Sequence, residues 1–229
     1  MAIRKQWGWT LALLIAVVAV FDLTPLDVLL QNHFYDAAAT DVPPAQRWLI
    51  DKQNETLSFW FHRAIKNAVI VFGVGVLLLG ISGFGWKRVA PYRRRLLFLA
   101  CAMALVPVLV GGGKQITNTY CPSQTVLYGG DKPYVKLLEP YPESFHPPKK
   151  GRCFPAGHAT TGFGLMALYF VFRTRRARLA GLAVGLTLGW VLGLFQMLRG
   201  EHFLSHTLFT MAASWLVILC TAALFRPRE

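Results

Sequence analysis

Charge is scarce in this sequence, and negative charge scarcest of all. Of 229 residues, 15% are charged and only 11 are Asp or Glu. Soluble domains carry about a quarter of their residues as charged side chains, so an ordinary soluble core is excluded. No internal repeat and no low-complexity linker divides the chain, so it reads as one domain over 1–229. No small-residue cleavage site follows the first apolar run. Phe21, Asp22 and Leu23 stand there instead, and the run reads as a retained span rather than a signal peptide. Cysteine is limited to four residues. Cys101 and Cys220 lie in apolar runs and read as small core residues.

What is abundant is apolar sequence, at 54% of the chain. Several runs approach the roughly 20 residues that cross a bilayer. The fold class expected is an all-α, polytopic membrane bundle of about six helices. The spans are read at 7–29, 64–84, 96–112, 158–172, 179–198 and 205–225, with a long polar loop at 113–157. Trp48, Trp60 and Phe61 suit an interfacial belt. Gly181, Gly185 and Gly189 recur every fourth residue, as small residues do at helix contacts within one chain or between two.

The formal charge of +13 could suggest a nucleic-acid partner. Its distribution argues for topology instead. Six spans put both termini on one side. That side collects 13 basic residues in short segments against a single acid, Glu229, while the other holds 11 basic and 10 acidic residues. The positive-inside rule makes the first side cytoplasmic. No nucleic-acid motif competes with this reading. The expected location is a bacterial inner membrane, multi-pass, with both termini cytoplasmic and the polar chemistry facing the periplasm.

Three segments meet on that outer face. The first begins at Gly111-Gly112-Gly113-Lys114 and reaches Cys121-Pro122. The second is Arg152-Cys153-Phe154-Pro155-Ala156-Gly157-His158, a turn opening a helix. Free N–H groups and the positive dipole end at such a mouth suit a phosphate. The third runs from Gln196 to His206, with His202 and His206 four residues apart, on one face if helical. These histidines admit a metal reading, with His158 as a third ligand. The HExxH order of zinc proteases is absent, because Glu201 precedes the pair, and Lys114, Arg152 and Arg199 would repel a cation. No metal and no other cofactor is expected.

In order and spacing these pieces resemble the type 2 phosphatidic acid phosphatase family, within the vanadium haloperoxidase-like superfamily. The family pattern is KxxxxxxRP, then PSGH, then SRxxxxxHxxxD. This chain reads KQITNTYCP, PAGH and FQMLRGEHFLSH. The resemblance implies a lipid phosphatase working through a phosphohistidine. His202 would be the nucleophile, His158 the general acid and base, and His206, in place of the aspartate, would orient His202. Lys114 would bind phosphate, with the amides of Ala156, Gly157 and His158 completing the cradle. Cys121 and Gln196 stand where the family has arginine, and Phe195 where it has serine. Arg199 and Arg152 are the expected substitutes. A disulfide between Cys121 and Cys153 would close the loop over the site. Lys132, Lys136, Lys149 and Lys150 could guide a polyanionic headgroup or form a solvated loop. The expected substrates are a lipid phosphate or pyrophosphate: the lipid A 1-phosphate, undecaprenyl pyrophosphate or a phospholipid phosphate. The alternatives are lipid-to-lipid phosphotransfer and a catalytically silent protein that binds a lipid phosphate. His33, His62 and His146 lack a motif context.

Overall fold

The computed structural model describes residues 3–147 and 149–227. Arg228 and Glu229, counted above for charge, lie outside them, as does the side chain of Arg4. Seven helical elements organise the fold: α1 Ile3–Leu23, α2 Leu26–Gln31, α3 Glu55–Ser82, α4 Ala90–Gln115, α5 Ala159–Val171, α6 Arg175–Leu198 and α7 Leu204–Phe225. Among the described residues no strand forms, only isolated bridges. Helices α1, α3, α4, α6 and α7 are long and apolar enough to cross a membrane. Trp9, Leu11 and Ile15 on α1, and Val71, Leu78 and Ile81 on α3, are exposed, as expected of surfaces that face lipid.

The span expected at 158–172 differs. At about 1.5 Å per residue, α5 falls well short of a 30 Å hydrocarbon layer. Its middle tightens to 3₁₀ geometry over Gly164–Ala167, and Phe172 turns extended. Nearly every residue from Ala159 to Ala167 is buried. So α5 is the enclosed core helix, packed on α6, α4 and α7. The second span also differs: α3 starts at Glu55, well before residue 64. Asn54 caps it by accepting from the Leu57 N–H at 3.0 Å. Its first turns widen to π geometry over Phe59–Ala64. A second π turn, Pro107–Gly111, ends α4, where Pro107 removes an N–H and crowds the preceding turn.

The glycines of α6 pack inside one chain. A Cβ on Gly189 would lie 2.1 Å from Phe163 Cδ1, one on Gly185 2.3 Å from the Met166 nitrogen, and one on Gly181 2.8 Å from Leu168 Cβ. From α5, a Cβ on Gly162 would lie 2.2 Å from the Gly189 nitrogen. The two backbones therefore touch, antiparallel. Because α6 is the longer helix, its last turns run past the start of α5 and stand beside residues 152–158.

The outer segment fastens that end. Gln31 Nε2 donates to the Met197 carbonyl at 2.8 Å, and the Ile50 N–H donates to the Leu198 carbonyl at 3.2 Å. These are carbonyls that a helix end leaves open. Trp48 stacks with Tyr35 and Tyr128 and lies over Gly200, whose φ of 69° and lack of Cβ both suit that contact. Asp27 accepts from the Ser205 N–H at 2.9 Å and from its hydroxyl, so α2 caps the start of α7. Cys121 and Cys153 form a disulfide with Cα atoms 5.1 Å apart. At the other end, Arg94 and Arg95 donate to the Phe225 and Pro227 carbonyls. The first turns of α4 and the end of α7 thus share the end opposite the histidines.

Two expectations follow. Gly189→Val should cost about 2–3 kcal/mol, since the first added carbon meets the fully buried Phe163 ring, which has no free space to swing into. A thermal-unfolding series in detergent beside Gly75→Ala, where an added Cβ meets nothing within 4 Å, checks it. Removing the disulfide closing the 32-residue separation should cost about 3–4 kcal/mol. Cys121→Ser/Cys153→Ser should lower the unfolding midpoint, and reductant should have no further effect on that double variant.

Candidate active site

Three segments converge where α4 and α6 end and α5 begins. His158 immediately precedes α5. His202 lies in the turn between α6 and α7 and is buried, and His206 occupies the first turn of α7. The His158 and His202 ring centroids are 6.3 Å apart, and those of His202 and His206 5.7 Å. Lys114 follows the π turn of α4. A Cβ on Gly157 would be 3.9 Å from its Nζ, so the lysine stands over the turn. Thr160 Oγ1 donates to the Gly157 carbonyl at 2.6 Å and braces the turn below.

Arg199 caps the end of α6. One guanidinium nitrogen donates to the Lys52 carbonyl at 2.7 Å, and the group lies over the Phe195 ring at 5.1 Å. Its Nε is buried without a hydrogen-bond partner among the described residues. A buried cation with an open N–H is suited to an anion. Glu201 turns to Lys52, 2.7 Å away, rather than toward His202.

The structure changes three expected roles. Ala156 is fully buried, and its N–H donates to Thr210 Oγ1 at 2.8 Å. It anchors the turn to α7, so this N–H is already engaged within the protein. Arg152 is exposed and faces outward, lining an open basin with Lys132, Lys149 and Lys150. Successive residues of an extended segment point opposite ways, so burying Cys153 turns Arg152 away from the histidines. His206 makes edge contacts with Phe154 and Phe203, and its Nδ1 has no hydrogen-bond partner among the described residues. The group facing His202 Nδ1 is Cys153, whose Sγ is 3.4 Å away.

The neighbour of His158 is a residue without motif context. His62, on the π turn of α3, places its Nε2 3.0 Å from His158 Nε2. Their ring centroids are 4.2 Å apart. A span read as starting at residue 64 hid His62. An apolar periodicity cannot register a π turn, which shifts the face each side chain presents.

Burial sets the charge of the site. It pushes His158 down to about 3, with His62, His202 and Lys114 adding to the effect and Glu201 opposing it. Burial also pushes His202 down to about 4; the Cys153 main chain opposes this and Lys114 adds to it. Both rings are therefore neutral at pH 7 in the free protein, beside the fixed cations of Lys114 and Arg199. Cys153, His202 and His206 present atoms within 4.8 Å of one another. Cys153 is spent in the disulfide and offers no thiolate, so the donor set fits a cation poorly. The arrangement is a set of neutral imidazoles beside two basic side chains, which suits an anion better than a cation.

Known proteins give the chain its family. A family model described as the PAP2 superfamily matches residues 95–229. Over 220 residues the chain is 27% identical to the lipid A 4'-phosphatase of Francisella tularensis subsp. novicida (strain U112), spanning 89% of this chain and 88% of that protein. No solved structure matches. The family match takes in more than half of the chain, including Lys114, His158 and His202, and on that ground the chain belongs to the PAP2 superfamily and is a membrane phosphatase.

Proposed function

We propose that the chain, as one membrane domain, removes a phosphate from a lipid through a phosphohistidine on His202. The observation that carries this is the convergence of His202, His158, Lys114 and Arg199 at one buried mouth. With Nδ1 directed at Cys153, the Nε2 lone pair of His202 is left to attack phosphorus in line. The phosphorus–oxygen bond to the lipid breaks as the nitrogen–phosphorus bond forms. The leaving oxygen takes a proton from His158. Water then attacks phosphorus, gives its proton back to His158, and the nitrogen–phosphorus bond breaks. Lys114, Arg199 and the amides of Gly157 and His158 hold the phosphate oxygens throughout.

A lipid is favoured by the surroundings. An apolar groove of about 590 Å³ runs between α3 and α4, lined by Val69, Gly73, Leu97, Met103 and Pro107. Lys66 and Thr161, near His62 and His158, also line it. The lipid A 4'-phosphatase relative makes the phosphates of lipid A the leading substrates. The basin of Lys132, Lys149 and Lys150 suits a large anionic headgroup. Undecaprenyl pyrophosphate and phospholipid phosphates remain in the same chemical class. The basic short loops favour an inner-membrane protein with its termini in the cytoplasm and its site toward the periplasm.

Phosphate release by purified protein in detergent, with a chelator present, tests the reading across lipid A, undecaprenyl pyrophosphate, phosphatidate and phosphatidylglycerophosphate. His202→Ala and His158→Ala should each lower turnover by at least about 10³-fold, and chelation should change nothing. Turnover abolished by chelator, or unaffected by His202→Ala, refutes the mechanism.

The pH profile supplies a second check. A nucleophile that titrates near 4 stays active until the pH falls through that value. The acid limb of kcat/KM should therefore have its midpoint near pH 4 rather than at the ordinary histidine value. Lys114→Ala removes a cation that holds His202 down, so this limb should move to higher pH while phosphate affinity falls.

A further inference from the structure

The proposed mechanism asks His158 to give up a proton, yet its burial and cationic neighbours keep it neutral in the free protein. A neutral imidazole that protonates a leaving alcohol becomes an imidazolate, which is costly near neutral pH. A bound phosphate favours a protonated His158, but the proton must come from somewhere.

His62 answers that need in its position. Its Nε2 sits 3.0 Å from His158 Nε2, so one of the two nitrogens carries a hydrogen directed at the other. The contact occupies Nε2 of His158 and leaves Nδ1 for the reacting oxygen. His62 itself is only partly buried, at the rim where α3 meets the mouth. It is carried on the π turn Phe59–Ala64, a geometry that often marks functional positions in helices. The charged groups around the pair are Lys66 and Arg63 on α3, Arg199 and Glu201 at the end of α6, and Lys114 and His202 facing His158; most are cations and disfavour a protonated His62 in the free protein, so it is the bound phosphate that lets His62 carry its proton. Glu201, the carboxylate of that set, is paired with Lys52.

We propose that His62 is the proton store for His158. The inference rests on the phosphohistidine reading. In the first step His158 gives its Nδ1 proton to the leaving oxygen while a protonated His62 passes its Nε2 proton to His158 Nε2. His62 ends neutral, His158 ends neutral with its hydrogen moved, and the lipid alcohol leaves. In the second step water attacks the phosphohistidine, its proton goes to His158 Nδ1, and the Nε2 proton returns to His62. His62 acts through His158 and is a positioning residue.

His62→Gln tests this, because glutamine keeps a hydrogen bond to His158 but cannot store a proton. Dodecyl phosphate is compared with a nitrophenyl phosphate carrying the same alkyl chain, whose leaving group departs without protonation. The expected result is a loss of about 10²-fold in kcat on dodecyl phosphate, with the nitrophenyl ester largely spared. The alkaline limb of kcat should also move to lower pH. Equal losses on both esters with unchanged limbs overturn the proposal and leave His62 a packing residue. A proton inventory on the wild type needs no variant. A bowed dependence on deuterium content reports two protons in flight and supports the relay, whereas a straight line overturns it. His158→Ala and His202→Ala run alongside. If they retain turnover, the parent mechanism fails. If they lose it and His62→Gln does not, only the role of His62 fails.

Discussion

The backbone contact between Gly162 of α5 and Gly189 of α6 sets the geometry on which the site depends. Two helices touching without side chains between them have one register, because a slip by a residue would drive a Cβ into a peptide group. That register puts the end of α6 beside residues 152–158. The short α5 then leaves the turn before it enclosed, and α7 holds the turn through Thr210. Nothing in this chain of constraints involves a charged residue. The distances near 6 Å between the histidine ring centroids are thus fixed by packing inside the apolar bundle, where a loop alone could not hold them.

Enclosure has an electrostatic consequence. Histidines beside lysine and arginine in a wet cleft would stay near their ordinary behaviour. Buried, they are neutral, and the permanent cations Lys114 and Arg199 carry the positive charge. On the proposed mechanism the phosphate would enter a site whose nucleophile already has its lone pair. The same burial would starve the proposed general acid of protons, which is why the contact with His62 matters. A single physical cause, exclusion of water, creates both the asset and the need.

The helical membrane class was legible because long apolar runs have few other uses, and the meeting of His158, His202 and His206 because motif order survives in sequence. The glycine ladder was legible as a packing motif, but only the register shows that its partner is α5. Three features were not legible. The length of α5 depends on where Phe172 turns extended, and the apolar run continues past that point. The start of α3 was hidden by polar residues such as Asn54 and Glu55, which cap a helix as readily as they form a loop. Arg152 was misassigned because sequence distance from His158 does not report the alternation that turns it outward once Cys153 is buried. The segment that clamps α6 through Gln31 and Ile50 has no local signature, since its partners are far away in the chain.

The departures from the family pattern make sense as a coupled set. Cysteine at 121 requires a partner, and Cys153 meets it from inside the site, with Sγ against His202 Nδ1. That places a polarizable sulfur where an orienting side chain would otherwise face the nucleophile. With the ring held from that side, the position of His206 no longer needs a carboxylate. It instead packs edge-on to Phe154 and Phe203. On the proposed mechanism Arg199, one turn beyond position 196, would supply the guanidinium that 121 and 196 lack; it is tethered by the Lys52 carbonyl and lies over Phe195. Phe195 itself stands where the pattern has serine, and a serine there would give the guanidinium no face to rest on. Restoring one family residue alone, for example arginine at 121, would break the disulfide and bring a second guanidinium toward a site that Arg199 already serves. On this argument the substitutions are interdependent, and reversing them singly removes function that reversing them together could keep.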